Sequence, residues 1–246
     1  MNYNKLIKNK NILVTGGAGF VGSHLAKRLY ENGNRVFVID NFFTGKKSNC
    51  HKGIHYIKGE NEDIYRIYKK TKLDYIYHLG EYSRVEQSFK DIDLVVKYNS
   101  YPFFEVLKLA KYHQAKLIYS GSSTKFSQNL DKVESPYSYT KRMNTEFLKQ
   151  YAKWYKIKFA ITYFYNVYGE NEIAQGKYAT VIAKFLQLKK KRQKYLPITS
   201  PGTQKRRFTY IEDIINGLIL VGKKGIGDDY GIGSDSCLLY TSPSPR

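Results

Sequence analysis

The sequence predicts an α/β protein built on a doubly wound parallel sheet. Two observations carry that expectation. Short apolar runs alternate with longer amphipathic runs through the first 170 residues, and a glycine-rich turn joins the first apolar run to the first amphipathic one. Strand–helix–strand alternation of this kind folds into parallel strands with helical crossovers. The right-handed crossover rule then gathers the strand ends, and any ligand, on one edge.

The elements follow in order. NILVT (11–15), RVFVID (35–40), IHYIKG (54–59), DYIYHLG (74–80), KLIYSGS (116–122) and KFAITYFYNVYG (158–169) read as buried strands. Residues 22–33, 92–114 and 138–156 have the apolar spacing of helices. After about residue 170 the pattern changes: a helix is predicted over 176–191, a short strand at YLPIT (195–199), a turn at SPGTQ (200–204) and a helix over 211–223. These form a second, smaller layer interleaved with the first. The expected organisation is a nucleotide-binding domain over 1–170, a partial substrate-binding region over 171–236 with some elements returning to the sheet, and a tail over 237–246. No internal repeat or low-complexity linker interrupts this order.

The bulk composition limits the function. Hydrophobic residues make up 42% of the 246, and no apolar run approaches the roughly 20 residues that span a bilayer. No apolar stretch with a cleavage site follows the basic N-terminus, and the two cysteines, Cys50 and Cys237, form neither a disulfide framework nor a metal spacing. A cytoplasmic protein without a membrane partner is expected. The net charge of +20 is spread along the chain, with KKKRQK (189–194) as its densest run. It fits a lysine-rich composition and an anionic small substrate, and without a stacking or zinc-finger motif no nucleic-acid partner is expected.

VTGGAGFVGSH places Gly16, Gly19 and Gly22 between the first strand and the first helix. One glycine allows the tight turn, one lets backbone approach a pyrophosphate, and one lets helix and strand pack closely. The helix start offers N–H groups and partial positive charge to the anion. Asp40 ends the second strand, where a carboxylate accepts the adenosine ribose hydroxyls and repels a 2′-phosphate. That favours NAD, although Lys46 and Lys47 keep NADP open.

SPYSYTK sets Tyr137 and Lys141 four residues apart, on one face of a helix, and YSGSST puts Ser122 at a strand end. A free tyrosine, with a pKa of about 10, is a poor base at neutral pH. A neighbouring ammonium favours its phenolate. A serine hydroxyl can then share the proton that leaves a substrate carbinol.

With these residues in order, the chain resembles the extended short-chain dehydrogenases/reductases of the NAD-dependent sugar epimerase/dehydratase family, over residues 11–236. TGGAGFVG, VIDN, YHLGEYSRVEQS, SGSST, SPYSYTK, YFYNVYG, PGTQKRRFTYIEDI and YGIGS carry the resemblance. It implies NAD, a nucleotide-diphosphate sugar substrate, and a homodimer formed through helices 92–114 and 138–156. It implies Ser122, Tyr137 and Lys141 as the catalytic set. It adds cofactor contacts at Phe20, Val21, Asn41, Asp63, Ile64, Leu79, Gly80, Glu81, Asn99 and Phe164, beside the glycines, Asp40, Tyr137 and Lys141. Substrate contacts fall to Ser122, Ser123, Asn166 and Arg206.

Two departures from the family pattern bear on the reaction. Ser123 and Thr124 stand where sugar 4,6-dehydratases carry an acid, so dehydration is disfavoured. Arg207 replaces an aspartate in the usual RDF motif. The motifs are most like those of the branch that epimerises UDP-hexoses at C4 through a 4-keto sugar. A dehydrogenase or decarboxylase on the same scaffold, or a non-catalytic NAD-binding fragment, are the alternatives.

CLLYTSPSPR (237–246) fits nothing before it, and its back-translation resembles a transposase-end adapter. The expectation is a non-native tail on a C-terminally truncated chain, whose strand from Tyr230 is cut at Ser236. Such a chain is expected to bind NAD and turn over poorly.

Overall fold

A computed structural model describes residues 7–126, 134–193, 195, 197, 205–233 and 238–239. The expected turn SPGTQ, most of the YLPIT strand, Cys237 and residues 240–246 of the expected tail lie outside the described residues.

The chain runs β1 (Asn11–Thr15), α1 (Phe20–Glu31), β2 (Arg35–Asp40), β3 (His55–Lys58), α2 (Ile64–Tyr68), β4 (Tyr75–His78), α3 (Ile92–Asn99), α4 (Tyr101–His113), β5 (Lys116–Ser120), α5 (Pro136–Tyr155) and β6 (Phe159–Phe164). It continues with β7 (Val167–Tyr168), α6 (Val181–Lys190), β8 (Lys205–Arg206), β9 (Thr209–Tyr210), α7 (Ile211–Lys224), β10 (Gly227–Ile232) and β11 (Leu238–Leu239). Seven strands form one sheet in the order β10-β6-β5-β4-β1-β2-β3, with every neighbouring pair parallel. Two-residue pairs join β7 to β9 and β8 to β11.

The strands are apolar on both faces because both are covered. Leu13, Ile39, Ile76 and Leu117 face one side, where Phe103, Leu107 and Leu148 of α4 and α5 pack on them. Ile12, Val14, Val38 and Ile118 face the other, under Leu25 and Leu29 of α1 and Ile215 and Leu218 of α7. α5 starts at a polar cap: the Ser135 hydroxyl oxygen accepts the Ser138 N–H at 3.2 Å, and Pro136 occupies the first turn, where no N–H donor is needed.

Three elements differ from expectation. The helix predicted over 92–114 is two helices that break at Ser100. Pro102 lacks the N–H that would continue the first helix, and its ring crowds the preceding turn. The strand predicted over 158–169 divides into β6 and β7, with Asn166 between them at φ 33°. The strand expected from Tyr230 begins at Gly227 and lies parallel to β6, so it extends the main sheet.

Candidate active site

A cleft of about 520 Å³ opens where the C-terminal ends of β1, β2, β4 and β5 meet the second layer. The first wall is the β1–α1 loop. Gly16 adopts φ 69°, and a Cβ on it would stand 2.8 Å from Gly80 Cα. A Cβ on Gly22 would stand 2.1 Å from the Gly16 carbonyl oxygen, so backbone meets backbone with no side chain able to give way. Gly16, Gly19, Phe20, Val21 and Gly22 all line the cleft, and the first turn of α1 holds no acidic residue to compete with an anion there.

Asp40 closes the adjoining edge. Its Oδ2 accepts the Ala18 N–H at 2.9 Å and its Oδ1 the Phe42 N–H at 2.7 Å. Burial pushes its carboxyl up, against the pull of these N–H groups. Asp40 therefore holds the glycine loop in place while bordering the cleft beside Asn41. An open glycine loop at a helix start, followed by a strand-end acid, fits a dinucleotide whose pyrophosphate sits on the loop and whose ribose faces Asp40. Lys46 and Lys47, the groups that kept a 2′-phosphate open, are not among the lining residues.

On the catalytic side, β5 delivers Ser122, and α5 delivers Tyr137 in its first turn and Lys141 one turn later. All three line the cleft, as do Ser123 and Phe164. The Ser122 hydroxyl shares a 2.8 Å hydrogen bond with that of Thr124. Lys141 Nζ donates to the Ser120 carbonyl at 2.6 Å and is ion-paired with Glu81, each side chain being almost wholly buried.

Four of the expected contact residues do not line the cleft. Gly59, Glu60 and Asn61 line it beside Asn41, whereas Asp63 and Ile64 do not. Ile64 is fully buried in the core, and Asp63 accepts from Arg66 at 2.8 Å. Asn61 donates to the Gly80 carbonyl at 2.6 Å, and Glu60 accepts from Asn41 at 2.9 Å. Gly59, directly after β3, was the signal: it marks the start of the loop that enters the cleft. Asn99 stands behind the wall, where its amide oxygen accepts the Tyr82 N–H at 2.7 Å and its amide nitrogen donates to Thr140 at 3.2 Å. Arg206 lies in the β8–β11 pair and does not line the cleft, whereas Phe208 does.

Leu79, Gly80 and Glu81 all line the cleft. The role of the Glu81 side chain was missed: only its place after β4 was legible. Arg84 was missed too. It lines the cleft and donates to the Tyr178 carbonyl at 2.8 and 3.0 Å. The second layer supplies Asn166, Glu172, Thr180 and Phe208, and the Asn166 amide donates to the Arg207 carbonyl at 2.9 Å.

A parallel sheet with a glycine loop after β1, an acid closing β2 and a Ser–Tyr–Lys set facing the same cleft defines an extended short-chain dehydrogenase/reductase. The chain belongs to the NAD dependent epimerase/dehydratase family, which matches residues 12–233. NAD is therefore its cofactor. A Methanocaldococcus jannaschii protein provisionally named a UDP-glucose 4-epimerase is 30% identical over 216 residues, covering 82% of this chain and 70% of its own. UDP-glucuronic acid decarboxylase 1 of Danio rerio is 29% identical over 246 residues, covering 92% of this chain and 57% of its own, so this chain spans little more than half of that relative. The crystal structure of UDP-glucose 4-epimerase with UDP-glucose from Thermotoga maritima has a TM-score of 0.87 at 28% identity, covering 93% of this chain and 78% of that one.

Proposed function

We propose that the chain is an NAD-dependent nucleotide-sugar epimerase that inverts C4 of a UDP-hexose through a 4-keto sugar. The observation that carries this reading is the meeting of Ser122, Tyr137 and Lys141 in one cleft with the glycine loop, next to Ser123 and Thr124, which cannot supply the acid of a dehydratase.

The glycine loop and Asp40 hold NAD, with Glu60 and Asn61 at its adenine end. Held there, NAD would supply a reversible hydride acceptor for the sugar carbon. Tyr137 takes the proton of the sugar 4-hydroxyl, helped by the Lys141 ammonium. Ser122 donates to the sugar oxygen as it becomes a carbonyl. The keto sugar rotates while its diphosphate stays anchored, Asn166 being the anchor on the second wall. Tyr137 then returns the proton to the alcohol of inverted configuration, so the cycle is redox-neutral.

Arg84 supports a second reading, a decarboxylase acting on a uronate sugar, because its guanidinium lies in the cleft close enough to Tyr137 to interact with it electrostatically and suits a carboxylate. Incubation with UDP-glucose and with UDP-glucuronate separates the two. Interconversion of UDP-glucose and UDP-galactose without accumulating NADH supports the epimerase. Release of carbon dioxide from UDP-glucuronate selects the decarboxylase. Free NADH selects a dehydrogenase, and NAD binding without turnover selects a cofactor-binding fragment.

The proposal includes a homodimer through α3, α4 and α5. Its support is the exposed apolar set of Val96, Tyr101 and Phe104 on one side and Met143, Phe147 and Trp154 on the other. No helix among the described residues is long and apolar enough to cross a membrane. A cytoplasmic setting, and the absence of a nucleic-acid partner, belong to the same proposal.

A further inference from the structure

We infer that Glu81 is a positioning residue of this site: its buried carboxylate clamps Lys141 and sets the charge that Tyr137 and the oxidised cofactor experience. The inference rests on the proposed roles of Tyr137 and Lys141.

Glu81 is the hub of a buried polar network. One carboxylate oxygen, Oε2, forms the ion pair with Lys141 and accepts the Tyr119 hydroxyl at 3.1 Å. The other, Oε1, accepts the Asn144 amide at 3.0 Å and lies 3.3 Å from His78 Nε2. The Glu81 side chain is 1% exposed and that of His78 is fully buried. Burial pushes the Glu81 carboxyl up, but the Lys141 ammonium and His78 outweigh it, so the group sits below the usual carboxylate range and is ionised. Burial and the Glu81 charge push the Tyr119 hydroxyl well up, so it remains a donor.

The network reaches back to the cofactor loop. The Thr15 hydroxyl oxygen, at the end of β1, accepts the Leu79 and Gly80 N–H groups at 3.1 and 2.9 Å. With its lone pairs taken, its hydrogen is directed to His78 Nδ1, 2.8 Å away. That assignment leaves the proton on His78 Nε2, aimed at Glu81. A continuous path of hydrogen bonds therefore joins the strand that carries the glycine loop to the Lys141 ammonium, one turn along α5 from Tyr137.

The charge consequence is specific. Lys141 and Glu81 together are neutral, so Tyr137 works next to a compensated ammonium. The other charged or titratable groups facing the pair are His78 on β4, Tyr119 on β5, Tyr137 on α5 and, close to Tyr137, Arg84 after β4. Removing the one carboxylate among them weakens proton binding at every neighbour. It also disfavours a positively charged nicotinamide relative to its neutral reduced form.

The test is Glu81→Gln in the full chain, with Glu81→Asp as the charge-preserving control, and Kd for NAD+ and NADH as the first readout. Glu81→Gln should weaken NAD+ relative to NADH by about tenfold, the size expected for two unit charges near 10 Å at intermediate dielectric. Glu81→Asp should keep the wild-type ratio. Equal weakening of both forms, or an unchanged ratio, overturns the inference. This readout needs no sugar substrate, so it stands or falls apart from the epimerase reading. With a turned-over substrate, both limbs of the pH–rate profile should move to lower pH by about one unit in Glu81→Gln. An unmoved profile counts against it. Where Glu81→Gln unfolds, Glu81→Met is compared with Glu81→Met/Lys141→Met. The double variant should be the more stable, because it removes the stranded ammonium; a double variant no better than the single overturns the inference.

Discussion

The two walls of the cleft are built by different means. The cofactor wall is made of strand ends and a helix start, where side chains of the last strand residues accept backbone N–H groups of the adjoining loops. Asp40 holds Ala18 and Phe42, and Thr15 holds Leu79 and Gly80. The substrate wall comes from two-residue strands and from α6, of which Ala183 alone is described as buried. Its ties, Arg84 to Tyr178 and Asn166 to Arg207, are single side chains reaching an outer loop. On the proposed function, the chemistry stands on the ends of the main sheet and recognition on a wall of short strands and loops, where sequence change is better tolerated.

The largest expected effect tests whether the frame and the chemistry are separable. Tyr137→Phe should lower turnover by about a thousandfold, the range for loss of a general acid–base, while NAD affinity stays within a few-fold in a binding titration. A parallel loss of NAD would merge the two functions of the wall.

A pair of glycines sharpens the contrast. Gly22→Ala forces a Cβ against the Gly16 carbonyl, so unfolding experiments should show a loss of about 3 kcal/mol, with NAD binding abolished. Gly176→Ala, in the second-layer loop before α6, meets nothing within 4 Å but keeps φ at 75°, and should cost about 1 kcal/mol and leave NAD binding intact. Similar costs at the two positions would break the comparison.

Asn166→Ala should raise KM for a UDP-sugar by about tenfold, as loss of a hydrogen bond to a charged group does, without moving the Kd for NAD. The smallest effect is in acid stability. The folded Glu81 carboxyl titrates below its ordinary value of 4.5. Its contribution is therefore full above that value and is lost as pH falls through the lowered one. Glu81→Gln should flatten that stretch of a pH-dependent unfolding curve, whereas Asn166→Ala should leave it unchanged.

The same division governs how much the sequence reveals. The glycine loop, Asp40, Ser122, Tyr137 and Lys141 are legible because each is fixed by spacing within one strand–turn–helix unit. The break at Ser100 was written in Pro102 but lost under the continuous apolar periodicity on either side. GENEDI suggests Asp63 and Ile64, and only the course of the chain after Gly59 brings Glu60 and Asn61 to the cleft instead. The role of Glu81 depends on His78, Tyr119, Asn144 and Lys141, which come from three separate elements, so no local pattern announces it. Arg206 carried a family motif, but its position depends on how the second layer folds back.

The edge strand β10 has a consequence for the chain as it emerges from the ribosome. It pairs with β6, yet the whole second layer intervenes between them in sequence. Until residues 227–232 arrive, β6 presents the apolar run FAITYF with one row of backbone donors and acceptors unpaired. Such an open edge is a template for another nascent strand, and closing it over a long loop is slow. The second layer is thus an insertion within the sheet rather than an appendage to it, and co-translational folding of the cofactor half stays vulnerable to misassembly until that insertion has been made.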